Sequence, residues 1–333
     1  MNTLRPLILP ALLLLLTGCF EEEDPIEVDA DATRQEIGMG SDYGDQVFFS
    51  FAEGTVTAVN RFTDFDLLFW SDGSEIRLNS ATNARIARTS YTTFDAVPVD
   101  ADDDADFRTD FPGQTSPLAG LINGATTDDT VVRYDPAIHI LDAGIDEAGD
   151  PRGVFKLQFV ERTPCCHVIR FAPMNVVDAV TATVPRDPAR RAVAYSLVER
   201  RVADHEPVVD RWDLLFTQYT HPFMLDGDTV PYLVRGVLIN DERIDAAVDT
   251  AGRFEDLDRS AALARNLTDR ADVLGYDWKL VTIDGTAASY AIDEEKYYIV
   301  QTADGGVYKM RFVDFLNDSG ERGYPEFEYV PLY

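Results

Sequence analysis

The sequence predicts a mainly β fold, made of tandem copies of one antiparallel β domain with few short helices. Most segments alternate polar and apolar residues with period two, and turn residues flank them, which favours strands. An internal repeat indicates that the same arrangement occurs twice. Helical periodicity is scarce, and its best candidate is the short segment 258–265. Many short strands joined by long loops are therefore expected.

The first eighteen residues predict an export signal. The apolar run 7–16 is too short to span a bilayer, which takes about 20 residues, and it has the length of a signal-peptide core. Leu16-Thr17-Gly18-Cys19 follows directly and resembles the bacterial lipobox. We therefore expect cleavage before Cys19 and lipidation of its thiol, which anchors the chain to a membrane. The alternative is an ordinary secretory signal that happens to contain a cysteine.

Residues 19–37 are predicted to be an acidic tether between the lipid and the first domain. The stretch 21–32 is rich in Glu and Asp, and such a composition buries too little apolar surface to become ordered. Phe20 would be the second residue of the mature chain. An aspartate there resembles an inner-membrane retention signal, so its absence favours the outer membrane. We expect a lipid-anchored envelope protein that is periplasmic or surface-exposed.

Charge and length narrow the function classes. The 333 residues include 29 Lys+Arg and 59 Asp+Glu, for a formal net charge of −30. A phosphate backbone needs basic residues to neutralise it, so the composition argues against nucleic acid as a partner. It argues equally against electrostatic binding to an anionic lipid surface, and predicts a solvated acidic surface. Beyond the tether, roughly 300 residues remain, which is enough for two cores.

The internal repeat divides the rest of the chain. Segment 65–69 recurs as 212–216, with Phe65 in the place of Trp212, and segment 153–160 recurs as 306–313. A shorter match upstream relates residues 49–51 to 195–197 at nearly the same offset. The shared order predicts two copies of one domain. They are expected at 38–178 and 185–333, and the joint falls near two prolines, Pro185 and Pro188, that favour an extended linker.

The strands within the copies follow from alternation and turn signals. In the second copy, Asp304-Gly305 between two alternating segments predicts a tight hairpin. The first copy repeats this hairpin with a longer turn. The predicted strands are 138–141, 154–160, 212–218, 232–239, 296–301 and 307–313.

The two remaining cysteines, Cys165 and Cys166, are adjacent. A bridge between neighbours strains disulfide geometry, while free thiols are unusual in an oxidising compartment. A vicinal disulfide or a pair of buried thiols is therefore expected. His167 completes a Cys-Cys-His triplet, but zinc sites space their ligands and need four, so no metal is predicted there. The acidic segment 100–110 lacks the ligand spacing of a calcium loop and is expected to be solvated.

The motifs of the second copy follow an order that is typical of one family. They are Trp212-Asp213-Leu214-Leu215-Phe216, Gly236-Val237-Leu238-Ile239-Asn240, Gly275-Tyr276-Asp277-Trp278-Lys279, 297–305, Lys309-Met310-Arg311-Phe312 and 323–329. This copy, over nearly all of 190–333, resembles the HmuY family of bacterial haem-binding lipoproteins, and 38–178 resembles it less closely. The resemblance implies an all-β fold, haem capture at the cell surface and hand-over to an outer-membrane transporter. In the family's founding type, two loop histidines ligate the iron.

His221 is the first candidate for a haem ligand, because iron accepts His, Met, Tyr or Cys as axial ligands. Pro222 is expected to end the preceding strand and place His221 in a loop, with Met224 as a second soft ligand. The alternative is a loop histidine whose aromatic neighbours pack as core. Arg235, Arg311 and Lys309 are candidates for binding the haem propionates.

The other histidines are weaker candidates. His167 follows the cysteine pair and is a further candidate ligand. His205 lies between Asp204 and Glu206, which are expected to favour its protonated form, and protonation opposes ligation. His139 opens a predicted strand and is expected to be structural.

The sequence carries none of the catalytic motifs considered. It lacks a nucleophile elbow, a His-Glu-x-x-His motif and a phosphate-binding glycine loop, so no catalytic residue is predicted. Beside haem binding, the alternative function is a non-catalytic surface module that retains the fold and recognises a protein partner.

Overall fold

The structure is a computed structural model that describes residues 32–123, 126–128, 130–284 and 287–333. Side chains are not described for 122–129 and 283–288. The predicted export signal 1–18, the lipidation site Cys19 and most of the tether 19–37 lie outside the described residues. Among the residues that are described, no helix is long and apolar enough to cross a membrane.

Antiparallel strands dominate the structure, which confirms the predicted mainly β class. In chain order the strands are β1 (Thr33–Glu36), β2 (Asp45–Ser50), β3 (Thr55–Arg61), β4 (Leu67–Trp70), β5 (Ile76–Leu78), β6 (Arg85–Arg88), β7 (Arg108–Thr109), β8 (Thr126–Asp128), β9 (Val131–Arg133), β10 (His139–Asp142), β11 (Val154–Arg162), β12 (Cys166–Pro173), β13 (Val180–Pro185), β14 (Ala192–Ser196), β15 (Arg201–Ala203), β16 (Leu214–Leu225), β17 (Asp228–Ile239), β18 (Ile244–Asp249), β19 (Lys279–Asp284), β20 (Ala287–Ile292), β21 (Tyr297–Thr302), β22 (Val307–Leu316) and β23 (Arg322–Pro331). The helices are α1 (Ala119–Asn123) and α2 (Arg259–Leu263), with single 3₁₀ turns at Ser80–Thr82, Phe94–Ala96 and Val209–Arg211.

Local chemistry accounts for several of these elements. Gly305 adopts φ +87° in the β21–β22 hairpin, which fits the turn signal in the sequence. Helix α2 begins after Asp258, whose carboxylate accepts a hydrogen bond from the Ala261 N–H and so caps the helix. The fully buried run of β4 is apolar on both faces, because it lies between two packed layers.

Two large sheets share part of their strand order, because β18-β21-β22-β23 in one corresponds to β6-β10-β11-β12 in the other. One runs β1-β23-β22-β21-β18, and the other runs β13-β12-β11-β10-β6-β7. Two four-stranded sheets form a second pair, in the orders β3-β2-β16-β17 and β15-β14-β4-β5. Hairpin β19–β20 stands apart as a two-stranded sheet.

Each large sheet packs with a smaller one around a separate hydrophobic core. The first core draws its residues from 67–197 and defines what we call the first lobe. The second core combines residues 37–51 with 214–329 and defines the second lobe. The cores therefore do not divide the chain at one point, because the first strands of the chain belong to the second lobe.

The lobes are linked by exchanged strands. Hairpin β2–β3 from the start of the chain pairs with β16, while hairpin β14–β15 from the middle pairs with β4. A carboxylate holds each junction. Asp66 accepts a hydrogen bond of 2.6 Å from the Leu197 N–H, and Asp213 accepts one of 2.7 Å from the Phe51 N–H. These bonds make each lobe depend on a segment from the opposite half of the chain.

Candidate functional site

His221 lies inside strand β16, not in a loop as the sequence predicts. The strand continues through Pro222 to Leu225, and in the register Pro222 faces Pro231 of β17. Two prolines can face each other only where a pair exchanges no hydrogen bonds, since neither has an N–H to donate. Pro222 is therefore accommodated, and the hairpin extends beyond it.

The outer half of the β16–β17 hairpin carries exposed apolar side chains. Phe223 is 43 % exposed, Leu225 is 62 % exposed and Tyr232 is 60 % exposed. Isolated apolar side chains are common on protein surfaces, but a cluster on one projecting hairpin marks an interaction site.

The imidazole of His221 is surrounded by aromatic rings on this hairpin. Its centroid lies 4.9 Å from the ring of Tyr276 and 5.7 Å from that of Phe223, which in turn contacts Tyr232 at 5.5 Å. His221 Nδ1 is buried and has no hydrogen-bond partner in the described part of the chain. Burial lowers the pKa of His221, although the nearby carboxylates of Asp272 and Asp277 act in the opposite direction. The ring is therefore neutral at pH 7, which is the form that binds a metal.

Met224 does not join His221 on one face of the hairpin. Residues three apart in a strand point to opposite faces, and the register places His221 with Tyr232 and Met224 with Thr229. Met224 is 66 % exposed, and its sulfur accepts a hydrogen bond from the Thr229 hydroxyl at 3.5 Å. The two candidate ligands therefore cannot approach one iron from the same side in this conformation.

His205 is buried and neutral, contrary to the expected protonation. Burial, with Arg191 and Arg190 close by, lowers its pKa to about 3. Its acidic neighbours do not offset this effect, because the Glu206 carboxylate bonds to Arg191 and Asp204 turns outward to Arg190. The ring lies 4.2 Å from that of Phe65, between centroids.

His167 is fully buried in the first lobe. Its Nδ1 lies 3.3 Å from the Tyr134 hydroxyl and its ring lies 5.0 Å from that of Phe69. Burial lowers its pKa to about 4. The preceding Cys165 and Cys166 are joined in a vicinal disulfide at the β11–β12 turn. No group of three or more metal-ligating side chains occurs in the described residues.

His139 is likewise buried. Its ring lies 5.6 Å from that of Phe159 in the core of the first lobe, and burial lowers its pKa to about 4. The four histidines are therefore spread over separate environments, and only His221 lies on a surface with exposed aromatic side chains.

A cavity of about 660 Å³ separates the two lobes, and sequence reasoning did not find it. At its centre the Arg191 guanidinium lies between two indoles, 4.9 Å from the Trp70 ring and 5.0 Å from the Trp212 ring. Arg191 also binds the carboxylates of Glu206 and, at 2.6 Å, Asp241. Its partners come from distant segments, so no local pattern in the sequence signals the arrangement.

Asp110 lies on the wall of the same cavity, although segment 100–110 was expected to be solvated. It is 1 % exposed, pairs with Arg77 at 2.6 Å and accepts a hydrogen bond from the Leu78 N–H. Burial outweighs these partners and raises its pKa to about 6.

Comparison with known proteins places the fold. A family model described as HmuY protein matches residues 42–329. The chain belongs to the HmuY family. The HmuY match covers both predicted copies at once, so the family unit is larger than the single copy on which the sequence resemblance rested. No curated protein sequence matches the chain significantly.

Several solved HmuY-type structures resemble the chain at low identity. A HmuY-like haem-binding protein from Bacteroides vulgatus is 12 % identical, over 92 % of this chain and 96 % of that one, with a TM-score of 0.26. The apo HmuY analogue of Tannerella forsythia is 11 % identical, over 91 % and 96 %, with a TM-score of 0.25. A lipoprotein from Bacteroides fragilis is 14 % identical, over 52 % and 92 %, with a TM-score of 0.19. Matches at these TM-scores carry no argument about the ligand.

Proposed function

We propose that this HmuY-family chain is a non-catalytic lipoprotein of the cell envelope that binds haem through His221. One observation carries the proposal. On an exposed hairpin, a partly exposed, neutral imidazole lies next to the exposed rings of Phe223 and Tyr232, which are the surfaces that a flat macrocycle contacts. The family relationship supports haem as the ligand.

The envelope location is part of the same proposal. The lipobox ending at Cys19 would anchor the mature chain, and the missing aspartate at position 20 favours the outer membrane. Haem taken up there would pass to an outer-membrane transporter.

We propose further that the chain contains two copies of one β module, at 38–178 and 185–333, whose first strands are exchanged. The corresponding order of four strands in the two large sheets supports this. Equivalent contacts support it as well: Lys156 and Lys309 donate to the carbonyls of Phe94 and Phe254. The duplication would lie inside the family unit.

Haemin titration of the purified mature chain tests the function. We expect the Soret band to shift as the chain binds haemin, and the shift to saturate. The shift should be absent in His221→Ala. Met224→Leu is the matched control on the same hairpin, and it should keep the shift if His221 alone supplies the axial ligand. A pigment spectrum identical to that in buffer would favour the alternative, a surface module that recognises a protein partner.

A further inference from the structure

Two cations line a small hollow at the base of the β16–β17 hairpin. Arg235 and Lys279 form its walls together with Tyr43 and Trp278. The Arg235 Cζ lies 5.2 Å from the centroid of the Tyr43 ring, and the Lys279 Nζ lies 4.3 Å from that of the Trp278 ring. We call these four residues the cationic hollow.

The cationic hollow is separate from the His221 surface. In the hairpin register Arg235 pairs with Gln218, and His221 lies three positions beyond Gln218 on the same strand. An odd separation along a strand places two side chains on opposite faces of the hairpin. A ligand at the mouth of the hollow is therefore not in contact with the imidazole of His221.

Neither cation of the hollow has a counter-ion in the part of the chain that the structure describes. Within the described residues, no carboxylate lies within salt-bridge distance of Arg235 or Lys279, and no acceptor receives a hydrogen bond from them. This is unusual in a chain with 59 acidic and 29 basic residues. By contrast, Arg61 and Arg191 each bind at least two carboxylates.

The cations that line the hollow act on one another and on Tyr43 electrostatically. Burial, followed by the charge of Arg235, lowers the pKa of Lys279 to about 8. A third cation, Arg322, lies near enough to the phenol of Tyr43 to oppose the rise in its pKa that burial causes. An anion at the mouth of the hollow would relieve the repulsion among these groups.

The hydrogen-bonding groups of the hollow point to the same kind of ligand. Trp278 is 3 % exposed, and its indole N–H is buried without a hydrogen-bond partner in the described residues. A buried donor without an acceptor is costly. The guanidinium and the ammonium, which line the hollow, offer donors only, so the complementary ligand is rich in acceptors.

The backbone at Tyr43 is held in an uncommon conformation. Its φ is +57°, in the left-handed region that side chains other than glycine rarely adopt, and its N–H donates to the Gly40 carbonyl at 2.9 Å. Such conformations concentrate at ligand sites, where the surrounding structure maintains them. Here the turn places the phenol ring beneath Arg235.

We propose that Arg235 and Lys279 form an oxyanion-binding site at the mouth of the hollow, whose interior of about 10 Å³ is too small for the anion itself, and that the site takes a carboxylate or phosphate group. The guanidinium supplies a planar pair of donors, and the ammonium supplies a point charge. The site depends neither on haem nor on His221.

Titration of the mature chain followed by NMR tests the site. Inorganic phosphate and acetate are added separately, with chloride holding the ionic strength constant. We expect a saturable shift of the Trp278 indole N–H signal and a rise in the pKa of Lys279. Arg235→Gln and Lys279→Gln should each weaken binding about tenfold, as expected for a lost charge-assisted hydrogen bond.

Matched variants separate binding from folding. Arg235→Lys keeps the charge and should retain most of the affinity. Arg108→Gln removes a surface cation elsewhere, whose side chain is 71 % exposed, and should bind like the parent. His221→Ala should bind phosphate unchanged. Thermal melts of all variants identify any that are unfolded.

Vesicles of phosphatidylglycerol identify the source of the oxyanion. Co-sedimentation that is lost in Arg235→Gln assigns it to a lipid head group, while phosphate binding without co-sedimentation assigns it to a soluble anion. Both results retain the site. Phosphate binding that is equally strong in Arg235→Gln and Lys279→Gln, or an indole signal that does not move, overturns it.

Discussion

The carboxylate of Asp213 accepts a hydrogen bond of 2.7 Å from the backbone N–H of Phe51, which lies 162 residues earlier in the chain. Asp66 and Leu197 repeat this relationship at the other junction, over 131 residues. Each carboxylate is buried, and burial raises its pKa. The two bonds hold the exchanged hairpins against the lobes that they complete.

Removal of the Asp213 carboxylate should destabilise the second lobe. Asp213→Ala leaves the buried Phe51 N–H without its acceptor, which costs about 1–3 kcal/mol in the free energy of unfolding. Urea denaturation followed by tryptophan fluorescence measures it. The exposed Asp245→Ala is the control, and it should change stability by less than about 0.5 kcal/mol. Equal midpoints for the two variants would contradict the role assigned to Asp213.

Arg191 should be among the most sensitive single positions in the chain. Arg191→Met keeps much of the side-chain volume between Trp70 and Trp212 but leaves Glu206, whose side chain is 1 % exposed, as an unpaired buried charge. Breaking such a pair costs about 3–5 kcal/mol. Thermal unfolding measures the loss. The exposed pair of Arg201 and Glu199 provides the comparison, since Arg201→Met should cost less than about 1 kcal/mol.

Asp110 should make stability depend on pH in the acidic range. Its pKa is raised to about 6 from an ordinary value of 3.8, so the folded state holds the proton more tightly than the unfolded state. The stabilisation that this more tightly held proton gives to the folded state is fully present below the ordinary pKa, and it is lost as the pH rises through about 6. Denaturation of the parent and of Asp110→Asn between these values measures it. The advantage of the parent should shrink as the pH rises, and a constant difference would contradict the assignment.

Haem ligation by His221 should persist under mildly acidic conditions. Burial lowers the pKa of this imidazole from its ordinary 6.5, so the neutral form that ligates iron survives to lower pH than in a solvated histidine. The Soret band of the haemin complex is followed from pH 8 downward. The complex of free imidazole with haemin is the reference. As the pH falls, the reference should lose its Soret band at a higher pH than the protein complex does. The reverse order would exclude His221 as the ligand.

Local features of the fold were predictable from the sequence. Alternating polarity identified the strands because side chains in a sheet alternate between faces, and the hairpin at Gly305 followed from its turn residues. The exchange of hairpins was not predictable, because the pairing partner of a strand is chosen across more than a hundred residues. Alternation predicts that β2 is a strand, but it does not predict that β16 is the strand with which β2 pairs.

The candidate site was predictable only in part. His221 was identified from the aromatic residues and the methionine near it in the sequence. Its place within a strand depends on Pro231, which faces Pro222 from the next strand. His205 was misjudged because neighbours in sequence need not face each other. Glu206 turns to Arg191, and the burial of the imidazole then decides its charge. The cationic hollow joins residues from three distant segments and leaves no signal in any of them.

The pairing of β1 with β23 sets an order of events during folding. Thr33 lies opposite Tyr329, so the earliest part of the domain to be synthesised finds its partner only when the last strand has been made. The first lobe can close once residue 203 is available, whereas the second must wait for the end of the chain. Contacts over such separations form slowly. Until then β1 has an edge that no other strand pairs with, and a mutation that delays β23 prolongs its exposure to aggregation.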